Sequence, residues 1–73
     1  MMRIGVTKEQ PGETRVAATP NTVKALIGLG YKVMVETGAG QLSSFPDSEY
    51  LAAGAEIGST SQTWSSELIL KVA

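Results

Sequence analysis

No cysteine and no histidine occur anywhere in the sequence. These two absences remove a disulfide framework, a Cys/His zinc site, a thiol nucleophile and an imidazole general base from the available chemistry. An excess of one charge is also missing: six Lys and Arg stand against seven Asp and Glu, for a net charge of −1. Such a mixed surface supplies no electrostatic footprint for a nucleic acid or an anionic membrane. The acids are scattered without the spacing of a calcium loop, so no metal site is expected. No apolar run is long enough to span a bilayer, and Met1-Met2-Arg3 leads into a strand-like run without a signal-peptide core. A soluble, cytoplasmic chain is expected, with no nucleic-acid partner and no direct membrane insertion by this segment. Aromatic residues are few, and Trp64 has no aromatic companion for stacking, which favours a cap over the core.

What is present is ordinary globular material, 42% hydrophobic, in 73 residues. That length fills at most one small domain and buries little apolar surface. Arg3 to Thr7 reads as a first strand, and Pro11-Gly12 marks a turn in the loop behind it. Thr19-Pro20 then opens a helix: the Thr hydroxyl can accept from an orphan N–H, and Pro at the first position loses no hydrogen bond. Val23, Leu26 and Ile27 form its apolar stripe, and Gly28 and Gly30 supply the stop. Lys32 to Glu36 is a second strand whose contiguous Val33, Met34 and Val35 predict cover on both faces.

A strand, helix, strand order with short loops implies a parallel crossover. Gln41 to Phe45 reads as a loop with Phe45 packed back on the core, and Pro46-Asp47-Ser48-Glu49 opens a second helix. Tyr50, Leu51 and Ala53 are its expected apolar face, Gly54 its end, and Ala55 to Ile57 a brief third strand. Ser59 to Ser66 is polar and turn-like. Leu68 to Val72 reads as a fourth strand of the fully buried kind. Val33, Val35, Leu68 and Leu70 are expected to form the core against Val23, Leu26 and Ile27. The fold class is therefore α/β, with a mostly parallel sheet and βαβ crossovers.

Two stretches bear on chemistry. Glu13 to Pro20 joins the first strand to the first helix and places Arg15 at the C-terminal side of the sheet, where open α/β sheets collect ligands. A planar guanidinium there can clamp a carboxylate or phosphate, or it can pair structurally with Glu9 or Glu13. The second stretch, Thr37-Gly38-Ala39-Gly40-Gln41, starts like a dinucleotide fingerprint. Ser43 takes its third glycine position and Pro46 interrupts it before a helix begins, so the glycines are assigned to a tight turn. No residue here is assigned to catalysis or to cofactor binding. Ending at Ala73, one residue past a buried-type strand, the chain is expected to be the beginning of a longer protein.

Five blocks now stand in order: Met2 to Val6, Glu13 to Pro20, Glu36 to Gly40, Ala53 to Ile57 and Leu70 to Val72. Together they resemble the N-terminus of the alanine dehydrogenase and transhydrogenase family, over essentially the whole chain. Gly40-Gln41-Leu42-Ser43-Ser44-Phe45 and the doubled alanine of Arg15-Val16-Ala17-Ala18-Thr19-Pro20 are more similar to the transhydrogenase alpha-subunit branch. The dehydrogenase branch carries a Lys-Val-Lys run whose second lysine contacts substrate, whereas this chain has Lys71-Val72-Ala73.

The resemblance implies an incomplete Rossmann-like N-terminal half-domain, with residues 1–73 forming part of the subunit's first domain. It implies a substrate-binding role for Arg15. NAD(H) would be bound by the complete protein, in a second domain downstream and absent from this chain. The complete alpha subunit would exchange hydride with NADP(H) on a beta subunit, coupled to proton translocation, as a homodimer at the cytoplasmic face of the inner membrane. This segment alone would be inactive. The alternatives are the N-terminal part of an NAD-dependent alanine dehydrogenase and a free-standing, non-enzymatic interaction module.

Overall fold

The computed structural model describes residues 2–72; Ala73, which the resemblance sets in the place of a substrate-contacting lysine, lies outside them. In chain order the elements are β1 (Arg3–Val6), α1 (Pro20–Gly28), β2 (Lys32–Glu36), α2 (Asp47–Ala52), β3 (Glu56–Gly58), α3 (Thr60–Trp64) and β4 (Leu68–Leu70). A single 3-10 turn, Gln41–Ser43, follows β2. The four strands form one sheet in the order β3-β2-β1-β4. Every pairing is parallel, with Ile4 beside Val33 and Leu68, and Val35 beside Ile57.

Local chemistry accounts for the helix ends. Thr19 Oγ1 accepts from the Thr22 amide at 3.2 Å, and Pro20 takes the first helical position of α1. Gly28 is the last residue of α1, and Gly30, with φ at 102°, is the one that turns the chain away. Ser59 Oγ accepts from the Gln62 amide while Gln62 Oε1 accepts from the Ser59 amide, a reciprocal capping box that starts α3. The stretch expected to be turn-like is thus helical for five residues.

The main core lies on the face of the sheet covered by α1 and α2. Val6, Val33 and Val35 from the strands meet Val23, Ala18 and Tyr50 there, with Leu26, Ile27, Phe45 and Ile57 packed around them. Tyr50 is fully buried and donates its hydroxyl to the Ala18 carbonyl at 2.8 Å. Burial, with Glu49 and Asp47 adding charge nearby, raises its pKa. Phe45 meets its ring edge-on, at 6.4 Å between centroids. On the opposite face α3 sits against β1, close enough that a side chain on Gly5 would collide with the Thr63 carbonyl.

Three expectations about burial are corrected here. Leu68 is 46% exposed and Leu70 half-buried, because β4 is an edge strand whose ladder runs only to β1. Leu51 lies on the outer side of α2 and is exposed. Trp64 caps no core; it is 48% exposed, with Lys71 Nζ 5.7 Å from its ring centroid.

Candidate functional site

Since all four strands run the same way, their C-terminal ends share one edge, and the loops behind β1 and β2 rise side by side from it. Between these loops lies a cleft of about 570 Å³, lined by residues 8–13 of the first loop and by Glu36, Gly38, Ala39, Gln41 and Leu42 of the second. The connections leaving β1 and β2 both step towards β3, and the strand order reverses between β1 and β4, next to this cleft.

Hydrogen bonds, most of them half-buried, fix the cleft walls. Glu36, 7% exposed at the end of β2, accepts from the Lys8 amide at 2.8 Å and from Thr60 Oγ1 at 2.6 Å. One carboxylate thereby joins β2, the loop after β1 and the start of α3. Glu9 Oε2 accepts from the Val72 amide at 2.6 Å, tying the same loop to the chain beyond β4. Ser43 Oγ donates to the Thr14 carbonyl, which holds the two loops together further out.

Arg15 stands on this outer part of the loop, with its side chain 71% exposed. Its Nε and Nη2 donate to Glu13 Oε1 and Oε2 at 2.9 and 3.1 Å, and its amide donates to Oε1 at 2.9 Å. Of the two pairings open to Arg15, the direct one is to Glu13; Glu9 acts on it at longer range. The side-chain bonds from Arg15 are the main cause that lowers the Glu13 pKa from 4.5 to about 2, and the same pairing raises that of Arg15.

The Gly38 turn is occupied from within the chain. Asp47 Oδ1 accepts from the Gly38 amide at 2.9 Å and Oδ2 from Thr37 Oγ1 at 2.7 Å. Gly38 has φ at 81°, the left-handed value that makes the tight turn possible. Gly40 is needed for a different reason: a Cβ there would lie 2.6 Å from Tyr50 and 2.7 Å from the Phe45 carbonyl. Its bare side faces the protein's own core. A pyrophosphate does not fit this turn, because its amide already holds a carboxylate and its second glycine faces inward.

Neither Glu36 nor Asp47 stands out as a site residue in the sequence. The available signal for Glu36 was a carboxylate ending a strand otherwise made of Val33, Met34 and Val35. Among the described residues no group of three or more acids could hold a metal ion, and no helix is long and apolar enough to cross a membrane.

A small parallel α/β sheet with an open cleft over its strand ends defines a domain of the Rossmann-related α/β class. The profile of the family described as "Alanine dehydrogenase/PNT, N-terminal domain" matches residues 5–73, and the chain belongs to that family. It is 49% identical over 72 residues to NAD(P) transhydrogenase subunit alpha of Haemophilus influenzae, covering 97% of this chain and 14% of that protein. It is also 49% identical over 73 residues to the alanine dehydrogenase of Bacillus subtilis, covering 97% and 19%. Among solved structures, the transhydrogenase of Sinorhizobium meliloti superposes with a TM-score of 0.90 at 43% identity, over 94% of this chain and 21% of that one. The chain thus spans between about a seventh and a fifth of the length of these relatives.

Proposed function

We propose that the chain forms part of the first domain of a transhydrogenase alpha subunit. In this reading the complete subunit exchanges hydride between NAD(H) and NADP(H) in step with proton translocation. Residues 1–73 supply one wall of the interdomain cleft, and Arg15 meets an anionic group that enters it. NAD(H) is held by a domain downstream, a division consistent with the occupied Gly38 turn. The partners are the rest of the alpha subunit, a second copy of it and a beta subunit, which brings the assembly to the cytoplasmic face of the inner membrane. The segment alone is inactive.

The observation that carries this reading is the run Lys71-Val72-Ala73. The resemblance to the dehydrogenase branch implies two cationic contacts to the substrate, Arg15 and a lysine, and Ala73 stands in the place of that lysine. The test uses the complete protein with its beta subunit in sealed vesicles. NADPH-driven reduction of an NAD⁺ analogue that collapses or builds a proton gradient is the expected result. The shared Arg15 and the equal identity to the Bacillus subtilis enzyme favour alanine dehydrogenase as second reading. Pyruvate- and ammonium-dependent NADH oxidation, abolished by Arg15→Ala, would establish that enzyme instead.

A further inference from the structure

Glu13 holds the Arg15 guanidinium side-on, one oxygen to Nε and the other to Nη2, with the Arg15 amide as third donor. This is the two-point geometry in which a free oxyanion engages an arginine. The Arg15 half of the pair is not locked in place by packing, its side chain being 71% exposed, while Glu13 is the more covered partner at 24%. Glu13 also lines the cleft, and Lys8 of the same loop lines it too, adding a second positive charge. Space that Glu13 vacates therefore opens towards the place an incoming anion would occupy.

We infer that Glu13 is a built-in competitor for Arg15: its carboxylate fills the fork that an oxyanion ligand uses, and the ligand binds by displacing it. The inference rests on the reading of Arg15 as an anion-binding residue. Displacement is feasible because exposed ion pairs are weak, and it is selective because a ligand must replace two contacts at once. A carboxylate or phosphate can do so, whereas a single-point anion such as chloride exchanges two bonds for one. Glu13 stays ionised at neutral pH, with its carboxyl held near 2, so the ligand and not a proton opens the fork.

The complete protein and its Glu13→Gln, Glu13→Ala, Glu9→Gln and Arg15→Ala variants are titrated with pyruvate, inorganic phosphate and chloride by ligand-observed NMR. Circular dichroism checks that each variant is folded. Both Glu13 variants should tighten one oxyanion by about threefold or more, the scale an exposed ion pair sets, with a smaller gain for Glu9→Gln. Whichever of pyruvate and phosphate gains identifies the ligand chemistry, and chloride should gain least. Unchanged affinities in the Glu13 variants, beside weakened binding in Arg15→Ala, would overturn the competitor while leaving the Arg15 reading intact. An equal gain from Glu9→Gln would also overturn it, since charge alone would then account for the effect. Affinities indifferent to Arg15→Ala, or no oxyanion binding by any form, would overturn both readings.

Discussion

Asp47 and Glu13 are carboxylates near the same edge of the sheet, and they occupy opposite situations. Asp47 accepts from Thr37 and Gly38 and consolidates a turn, whereas Glu13 reaches an exposed guanidinium two residues along its own loop. Titration separates structural from local pairing at this scale. Because Arg15 depresses the Glu13 pKa to about 2, the pair contributes stability above the ordinary value of 4.5, and that contribution fades as pH falls towards 2. Carbon-detected NMR should place the Glu13 midpoint near 2, and Arg15→Ala should return it towards 4.5. A midpoint near the ordinary value in the unmodified protein would show the pair to be transient in solution. The sequence made Glu13 visible as a partner because the two residues are close along the chain. Asp47 and Glu36 take partners ten or more positions away in several of their bonds, and residue spacing holds no record of those.

At the scale of elements, the sequence was most legible where one face is apolar and a cap is local. The Thr19-Pro20 start of α1 and the buried run of β2 are such cases, and both appear where the pattern puts them. Helix α3 carries an equally local signal in Ser59 and Gln62, three apart, yet its five residues hold no apolar stripe. Tertiary contacts supply what the stripe lacks. Arg3 Nε donates to Ser66 Oγ at 2.9 Å and Nη2 to the Gln62 carbonyl at 3.1 Å, placing a cation at the C-terminal end of α3. Glu36 holds the other end through Thr60. Removing that carboxylate with Glu36→Ala takes away the charge-assisted hydrogen bonds from the Thr60 hydroxyl and the Lys8 amide, and should cost about 1–3 kcal/mol. Hydrogen exchange of the complete protein should then quicken at Lys8 and through residues 60–63 together. Faster exchange at one and not the other would mean that Glu36 does not couple the cleft wall to α3.

Across the whole molecule, burial follows position in the sheet more than the hydrophobicity of each strand. Leu68-Ile69-Leu70 is as apolar as Val33-Met34-Val35, but β2 lies between two strands and under helices while β4 lies at the edge. A run of apolar residues predicts that a strand is covered without saying by what, which is why β4 was misjudged and β2 was not. The two strands should respond differently to the same kind of truncation. Val35 has no exposed surface and packs in the main core, so Val35→Ala removes fully buried methyl groups and leaves a cavity. It should cost about 2 kcal/mol or more. Leu68→Ala removes a larger side chain but one half in solvent, and should stay within about 1 kcal/mol. The comparison is made by urea unfolding of the purified protein, with both variants carried through the same transition. If Leu68→Ala proved the costlier change, the outer face of β4 would have to be covered in the assembled protein, by residues beyond those that form this sheet.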